Sequence, residues 1–299
     1  MGSEPRFASE RSSRPSWGPA LLKTASALGT RCPCGCGVFM PWQQLVADVA
    51  LERDRGRLVY RNVEVTVPRQ SGKTTIMLAV IVHRMLAAAN QRVAYGAQTR
   101  IAARSKLLDT LWPMIKASSL AGLFRPPSRA MGSESLRSHN GSILTLLSTE
   151  ESAGHGDTLD LAVLDECWAL GPAVEQAVRP AMATRPNAQI WMLSTAGNAK
   201  SLWWRSKIDG GRVAAQTGVS KGTAYFEWSA SEDADVFDPA VWPSFMPALG
   251  HTIDAETVAA DLAVMSPSEW RRAYANQWPD ESAEGWKVIQ EDVWAASAL

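Results

Sequence analysis

Val67-Pro68-Arg69-Gln70-Ser71-Gly72-Lys73-Thr74-Thr75 is the segment that gives the clearest indication of the fold class. A strand-like run over residues 63–67 leads directly into Gly-Lys-Thr, and a helical pattern follows over residues 73–89. A phosphate-binding loop needs backbone N–H groups in a tight turn, a lysine for the β- and γ-phosphates and a hydroxyl for Mg²⁺, all at a helix N-terminus. Gly72, Lys73 and Thr74 supply these parts, although Val67 stands where the usual pattern has its first glycine.

The composition is that of a soluble globular protein. The chain has 299 residues, 46% of them hydrophobic, which is enough for one large α/β domain with appendages. No apolar run is long enough to cross a membrane, and the polar N-terminus lacks the apolar core of a secretory signal. We therefore predict a cytoplasmic protein.

Charge is distributed unevenly along a chain whose formal net charge is zero. Residues 1–150 contain 20 basic and 9 acidic residues, a net charge of +11, whereas residues 151–299 contain 10 basic and 21 acidic residues, a net charge of −11. Two interpretations are open. The first half forms a basic face for nucleic acid, or the two halves intermix in the fold and their charges cancel.

Three of the four cysteines lie together at positions 32, 34 and 36, and the fourth is Cys167. Structural zinc sites usually separate paired cysteines by two to four residues, whereas here the spacing is one, and no nearby histidine completes a ligand set. We therefore predict reduced thiols in an exposed loop rather than a zinc site. An intermolecular metal site or a redox site is the alternative.

Periodicity predicts alternating strands and helices after a disordered segment, residues 1–18, that is rich in Ser, Arg and Pro. Helical patterns cover residues 19–28, 42–51, 73–89, 99–117, 173–181, 201–215, 255–265 and 267–276. Strand patterns cover residues 63–67, 92–97, 142–147, 159–164, 189–194 and 223–230, with irregular segments at 121–141 and 148–157. This order predicts an α/β fold, with a mostly parallel sheet and helices on both faces.

Two further strands end in polar residues. The run Leu161-Ala-Val-Leu164 is apolar throughout and ends at Asp165-Glu166, where one carboxylate could hold Mg²⁺ and the other could activate a water. The strand over residues 189–194 ends in Ser194-Thr195-Ala196-Gly197-Asn198. Small polar residues there suit a γ-phosphate sensor, and an ordinary turn is the alternative because Gly-Asn is a turn pair.

Upstream of the loop, Pro41-Trp42-Gln43-Gln44 begins a helix. A glutamine amide carries both a donor and an acceptor, so Gln43 could read an adenine edge. The alternative is that Trp42 packs in the core and the glutamines are solvated.

Together these motifs resemble the ATPase domain of the terminase large subunit, the DNA-packaging motor of tailed bacteriophages. The resemblance is carried by PWQQ, VPRQSGKTT, AYGAQTRIAARSK, LAVLDE, AVRPAMATRPNAQIWMLSTAGNAKS and WRRAYANQW, which span about residues 40–280. A loop of the form PRQxGKT, without the first glycine, is normal in that family. The resemblance implies a P-loop ATPase fold of the RecA-like (ASCE) class with a small C-terminal helical or linker subdomain.

The resemblance also implies roles for individual residues. Lys73, Glu166 and Arg69 would be catalytic, with Glu166 as the base, and Thr74 and Asp165 would bind Mg²⁺. Ser194 and Thr195 would couple hydrolysis to domain movement. The residues that would contact ATP are Gln43, Arg69, Gln70, Ser71, Gly72, Lys73, Thr74 and Thr75.

The partners that the resemblance implies are double-stranded DNA, a small terminase subunit, the portal protein and further copies of the chain in a ring, in the host cytoplasm without a membrane. We divide the chain into an N-terminal arm with the Cys-rich loop (1–40), a P-loop ATPase core (41–215), a small lid or linker subdomain (216–280) and a linker toward an absent nuclease domain (281–299). The acidic group Glu232-Asp233-Ala234-Asp235, with Asp238, is interpreted as a solvated turn.

The sequence departs from the family pattern in its catalytic arginine. The loop before LAVLDE reads Gly154-His155-Gly156-Asp157 and has none, although such a residue is worth roughly 10³–10⁵ in rate. Arg69 could act in cis, and the other candidates are Arg100, Arg104, Arg125, Arg129, Arg137, Arg179 and Arg185. The alternative functions are a helicase-like DNA-dependent ATPase and a nucleotide-binding assembly module with little activity.

Overall fold

The predicted alternation of strands and helices builds one large sheet that is covered by helices on both faces. The computed structural model describes residues 4–147 and 158–279. Its strands are β1 Phe7–Ala8, β2 Arg53–Asp54, β3 Arg57–Leu58, β4 Asn62–Thr66, β5 Arg92–Gly96, β6 Ser135–Arg137, β7 Ile143–Leu146, β8 Leu161–Asp165, β9 Gln189–Ser194 and β10 Thr223–Glu227.

The helices match the predicted segments to within a few residues. They are α1 Gly18–Ala27, α2 Pro41–Ala50, α3 Lys73–Ala87, α4 Arg100–Ser105, α5 Trp112–Lys116, α6 Pro172–Met182, α7 Leu202–Thr217, α8 Ala255–Val264 and α9 Pro267–Tyr274. A π-helix, Lys106–Leu111, joins α4 to α5, and short 3₁₀ turns lie at Ala121–Leu123, Cys167–Ala169 and Pro239–Ser244. No helix in the described ranges is long and apolar enough to cross a membrane.

The main sheet has the strand order β1-β10-β4-β9-β8-β5-β7-β6. The six central strands are parallel to one another, and only the two edge strands, β1 and β6, are antiparallel to their neighbours. Strand β8 is buried at every position, as a strand covered on both faces must be. The parallel arrangement brings the carboxyl ends of the central strands to the same edge of the sheet.

Alternate side chains of the central strands enter different cores. Val63 and Val65 of β4 pack with helices α1, α2 and α3 on one face of the sheet. Ala162 and Leu164 of β8 pack with α6 and α7 on the other face. This two-sided burial explains why β8 is a continuous apolar run in the sequence up to Asp165.

A third core lies outside the sheet and forms the small C-terminal subdomain. It joins buried residues from Ala230 to Ala275, including Trp242 and Trp270. Its last helix, α9, begins as the sequence predicts, because Ser266 Oγ accepts the Glu269 N–H at 3.3 Å and Pro267 occupies the first helical position. The acidic turn over residues 232–238 contributes exposed carboxylates that accept local backbone N–H groups.

The predicted disorder of residues 1–18 is wrong over the described part of that segment. Strand β1 pairs with the edge of β10, and Arg6 donates to the Ala230 carbonyl at 2.9 Å. Helix α1 begins at Gly18 and packs on α2 and α3 within the main core. The low hydrophobicity of the segment concealed these contacts because β1 contributes only two apolar side chains, Phe7 and Ala8, which are half-buried against the cores.

The division at residue 216 also differs from the structure. Strand β10 was assigned to the small subdomain, but it pairs in parallel with β4 inside the main sheet. The main sheet therefore extends to Glu227, and the separate core begins at Ala230.

Candidate active site

The loop between β4 and α3 makes a tight turn with two left-handed residues. Gln70 and Gly72 both adopt positive φ angles, of 57° and 81°. A Cβ atom at Gly72 would lie 2.7 Å from Met40 Cε and 2.9 Å from Gln43 Nε2, so both the conformation and the available space call for glycine. Helix α3 begins at the next residue, Lys73, and this places its N-terminus at the loop.

Two side chains of helix α2 donate hydrogen bonds to this loop. Trp42 Nε1 donates to the Ser71 carbonyl at 3.0 Å, and Gln43 Nε2 donates to the Gly72 carbonyl at 2.9 Å. Gln43 Oε1 accepts the Met40 N–H at 2.8 Å, and the residue is 1% exposed. The adenine-side role of Gln43 stays a prediction, whereas its contacts give it a structural role in holding the loop.

Lys73 is desolvated and faces the acidic pair. Only 7% of the residue is exposed, and its Nζ lies 3.4 Å from the Pro68 carbonyl. Burial lowers the pKa of Lys73, and the negative charges of Glu166 and Asp165 oppose this shift. A phosphate anion in the loop would therefore satisfy a buried cation.

Asp165 ends β8 as a buried carboxylate. Its Oδ2 accepts the Tyr95 hydroxyl at 3.1 Å and its Oδ1 accepts the Glu166 N–H at 3.0 Å. Burial and the charge of Glu166 raise the pKa of Asp165, while Lys73 lowers it. This carboxylate would gain from a bound cation.

Glu166 is held in an uncommon backbone conformation. Its φ angle is 53°, in the left-handed region, and its Oε2 accepts Trp168 Nε1–H at 2.6 Å. Such conformations cost energy and occur often at functional sites. The indole fixes the carboxylate beside the end of β8, and Trp168 was not predicted as a site residue.

The sheet register brings three strand ends together. Thr66 of β4 pairs with Ser194 of β9, and Asp165 of β8 pairs with Leu193. Strand β9 thus lies between the strand before the loop and the strand of the acidic pair. Ser194 Oγ accepts the Trp168 N–H at 3.0 Å, so it is linked to the turn that carries Glu166.

Residues 65–226 match a protein-family model described as the terminase large subunit, T4likevirus-type, N-terminal. The chain belongs to this family. Comparison with proteins of curated function gave no match.

Solved structures show the same fold. The crystal structure of the HK97 bacteriophage large terminase superposes with a TM-score of 0.72 at 19% identity, covering 88% of this chain and 56% of that chain. The large terminase of a thermophilic bacteriophage, solved in complex with ADP, gives a TM-score of 0.52 at 12% identity, covering 73% of this chain and 48% of that chain. The chain thus spans about half the length of these two terminases, and at these identities the likeness concerns the fold.

Asn276 lies beside the candidate site of this terminase-family chain, and the sequence did not predict its place there. Its Nδ2 donates to Thr66 Oγ1 at 2.9 Å and to the Trp228 carbonyl at 2.8 Å, and its Oδ1 accepts the Ala196 N–H at 2.5 Å. It therefore joins the ends of β4, β9 and β10. The signal was its place in WRRAYANQW, which carried the resemblance without an assigned role.

The remaining loop residues differ in exposure. Ser71 is buried, Gly72, Thr74 and Thr75 are half-buried, and Gln70 is exposed. Arg69 is half-buried and its N–H donates to the Ala273 carbonyl at 2.8 Å. Within residues 4–147 and 158–279, its guanidinium makes no hydrogen bond or ion pair. Thr195 is buried beside Ser194, and its carbonyl accepts Trp204 Nε1–H at 3.0 Å.

The other candidate arginines of this terminase-family chain fall into two groups. Four are held in ion pairs: Arg100 and Arg104 with Glu134, Arg179 with Glu175, and Arg185 with Asp160. Three are exposed, and no ion pair or side-chain hydrogen bond engages them in the described part of the chain: Arg125, Arg129 and Arg137. The loop Gly154-His155-Gly156-Asp157 and the predicted linker 281–299 lie outside the described residues.

Proposed function

We propose that this chain is the ATP-hydrolysing motor of a terminase that packages double-stranded viral DNA into a procapsid. The observation that carries the proposal is the meeting of three parallel strand ends, which bring together the loop before Lys73, the pair Asp165-Glu166 and Ser194. This is the edge at which sheets of this class bind ligands. Membership in the terminase family supports the same assignment.

The proposed chemistry assigns one task to each side chain. Backbone N–H groups of the loop and the Lys73 ammonium would bind the β- and γ-phosphates of ATP. Glu166, held by Trp168, would orient a water and accept its proton as the oxygen attacks the γ-phosphorus. The γ-phosphoryl group would leave ADP and appear as phosphate.

Asp165 and Thr74 are the residues that would hold Mg²⁺. The fit rests on the buried carboxylate of Asp165, whose pKa is raised by burial and by Glu166, because a cation would relieve both effects. When bound, Mg²⁺ would neutralise charge on the phosphate oxygens.

Arg69 is proposed as an arginine that acts on the phosphates of its own subunit. It lies in the loop, and its positive charge lowers the pKa of Lys73, so the two cations are close enough to interact. Among the described residues its guanidinium has no competing partner. An arginine donated by a neighbouring copy is the alternative, and Arg125, Arg129 and Arg137 are the exposed candidates.

Helix α9 is proposed as the element that transmits hydrolysis to the small subdomain. The Arg69 N–H donates to the Ala273 carbonyl, and the Arg272 guanidinium lies over the Trp168 ring at 5.3 Å. Asn276 follows directly and contacts Ala196, just after Ser194 and Thr195. A movement of Glu166 would therefore be transmitted to α9 through Trp168 or Ser194. A movement of the γ-phosphate would be transmitted to α9 through the loop.

The decisive test is ATP turnover by purified protein, with and without linear duplex DNA and the small subunit. We expect Lys73→Ala to lose phosphate binding and Glu166→Gln to lose the base, so each variant should turn over at least about 100-fold more slowly. Lys23→Ala and Glu256→Gln are matched controls because both residues are exposed and lie outside the site. Wild-type turnover by Lys73→Ala or Glu166→Gln would refute the assignment.

Other outcomes would favour the alternative functions. Strand separation of duplex DNA by this chain alone would indicate a helicase-like enzyme. ATP binding without turnover, even with DNA and the small subunit, would indicate an assembly module.

Double-stranded DNA is the proposed polymer partner, with the small subunit, the portal and a homo-oligomeric ring in the host cytoplasm as further proposals. Contacts to phosphates release counterions, so binding of duplex DNA should weaken by orders of magnitude between about 50 and 200 mM salt. Fluorescence anisotropy with a labelled duplex measures this slope. Affinity that is independent of salt would contradict a phosphate-based interface.

A further inference from the structure

The Cys-rich loop and a distant histidine form one cluster of metal-ligating atoms. The sulfur atoms of Cys32, Cys34 and Cys36 and the imidazole of His251 all lie within 4.8 Å of one another. His251 is 215 residues beyond Cys36 and belongs to the small subdomain. No histidine lies near the cysteines in the sequence, but the fold brings a remote one, His251, beside them.

The distances approach those of a tetrahedral metal site, and the two shortest are about 0.5 Å below the ideal edges. His251 Nδ1 lies 3.1, 3.5 and 3.8 Å from the sulfurs of Cys34, Cys36 and Cys32, and the Cys32 and Cys34 sulfurs are 3.2 Å apart. In a tetrahedral site, zinc lies about 2.3 Å from sulfur and about 2.1 Å from nitrogen. Two sulfur ligands are then about 3.8 Å apart, and a sulfur and a nitrogen ligand are about 3.6 Å apart. A separation of 3.2 Å is too long for a disulfide bond, at about 2.05 Å.

Two tight turns hold the ligands. Gly35 adopts a φ of 78° and donates its N–H to the Cys32 carbonyl at 2.9 Å, and the Cys32 N–H donates to the Gly37 carbonyl at 2.8 Å. The Cys36 N–H also points at the Cys34 sulfur, at 3.4 Å. This glycine turn lets cysteines separated by one residue share a centre, which the usual spacing rule does not anticipate.

The histidine turn is equally well defined. The His251 N–H donates to the Ala248 carbonyl at 3.0 Å, and the Gly250 N–H donates to the Ile253 carbonyl at 2.8 Å. Ala248 belongs to the main core and Leu249 and Ile253 pack against the core of the small subdomain. The imidazole is therefore presented from a fixed position at the junction of the two cores.

We propose that Cys32, Cys34, Cys36 and His251 bind one structural Zn²⁺ ion. Three thiolates and one imidazole complete a closed four-coordinate set, which is the composition of structural rather than catalytic zinc sites. The four metal–ligand bonds would join the segment before α2, which carries the cysteines, to the small subdomain, which carries His251. Reduced thiols without a metal are the alternative that the experiment must exclude.

The site would also fix the phosphate loop from two sides. The segment that follows Cys36 leads into Met40 and Gln43, which contact Gly72. The residue after His251, Thr252, donates its hydroxyl to the Gln70 carbonyl at 3.4 Å. Zinc would thus hold together two segments that each touch the loop, and this role does not depend on the identity of the nucleotide.

The first measurement is metal content of the full chain, purified under reducing conditions, loaded with ZnCl₂ and dialysed. Elemental analysis by inductively coupled plasma mass spectrometry should find about one zinc ion per chain. The affinity of the protein for Zn²⁺ should fall at least about 10-fold in Cys34→Ser and in His251→Ala. His139→Ala is the matched control, since His139 is exposed and remote from the cysteines in sequence. Retention of zinc by Cys34→Ser and His251→Ala at wild-type affinity, or no zinc in wild-type protein, would overturn the proposal.

A second measurement needs no variant and so survives any folding defect. Wild-type protein loaded with Co²⁺ in place of zinc should show intense visible bands of a tetrahedral site and thiolate-to-cobalt charge transfer in the near ultraviolet. One equivalent of Zn²⁺ should abolish both. Weak octahedral bands, or bands that persist with zinc, would refute a closed Cys₃His site.

Discussion

Asn276 shows how one side chain can unite three strand ends. Its φ angle of 53° is one that asparagine tolerates better than most residues, and only 2% of the residue is exposed. The carboxamide supplies both donors and an acceptor, so it satisfies Thr66, Ala196 and Trp228 together. An aspartate would keep the acceptor but lose both donors.

Replacing Asn276 should therefore be costly. Asn276→Ala removes the hydrogen bonds to the Ala196 N–H and the Trp228 carbonyl, and we expect the free energy of unfolding to fall by about 2–4 kcal/mol. Urea denaturation followed by fluorescence measures the change. Gln216→Ala, at an exposed position of α7, is the control and should stay within about 0.5 kcal/mol of wild type. A similar small change in Asn276→Ala would show that the network contributes little.

Glu64 gives a prediction about pH. Burial in β4 raises the pKa of Glu64 to about 7. The charge of Lys207 lowers this pKa, and the charge of Glu175 raises it. Because the native state keeps a proton that the unfolded state releases above pH 4.5, this group lowers stability as pH rises toward 7, and the loss levels off above that. Glu64→Gln cannot ionise and should remove this loss.

The measurement is the free energy of unfolding at about pH 5 and about pH 8. We expect the decrease in the free energy of unfolding from about pH 5 to about pH 8 to be about 2 kcal/mol smaller in Glu64→Gln than in wild type. Glu256→Gln, at an exposed position, should behave as wild type. Parallel curves for Glu64→Gln and wild type would mean that Glu64 is ionised in the native state.

Local signals in the sequence identified the elements of the site but not its long-range connections. The loop before Lys73 and the pair Asp165-Glu166 were predictable because their residues are consecutive and each group follows a strand pattern. Trp168, Asn276 and His251 were not, because their contacts depend on how segments pack. The Asn276 contacts, for example, span 210 residues to Thr66 and 80 to Ala196.

The π-helix is an element that periodicity alone missed. The sequence predicts one continuous α-helix over residues 99–117. In the structure the segment Lys106–Leu111 is a π-helix with wider turns, and the Trp112 N–H donates to the Leu107 carbonyl. Pro113 gives the physical reason, since it lacks an N–H and its ring would collide with the carbonyl four residues earlier in a regular helix. Lys106 belongs to this π-helix, and its positive charge lowers the pKa of Asp165 in the candidate site.

Strand β1 covers one edge of the main sheet. It pairs with β10 through Phe7 and Ala8, and Arg6 extends the contact to Ser229 and Ala230. An uncovered edge would present free backbone groups to other chains. The N-terminal segment is therefore part of the fold despite its polar composition.

Deleting residues 1–10 should expose the β10 edge. We expect a lower melting temperature and greater aggregation on heating, because the pairing with Glu227 and Phe226 is lost. Thermal denaturation with light scattering follows both effects. Deletion of residues 1–4 is the control, since it removes no contact that the structure describes. Equal melting and solubility of the two truncated chains would show that β1 is dispensable.

The two oppositely charged halves of the chain are interleaved in the main sheet. The strand order places β10, from the acidic half, beside β4 from the basic half, and sets β9 and β8 between β4 and β5. The structure therefore favours intermixing of the halves over two bodies of opposite charge. A DNA-binding face, as proposed, would be formed by particular exposed residues rather than by the first half as a unit.

The position of β4 has a consequence for synthesis on the ribosome. Both of its neighbours, β9 and β10, are more than 120 residues downstream, so the strand that leads into the phosphate loop leaves the exit tunnel with two unpaired edges. Its second edge is covered only after Glu227 has been translated. The nascent chain must therefore keep both edges of this strand from pairing with other chains until these partners have been synthesised, which makes this segment a natural client for a chaperone.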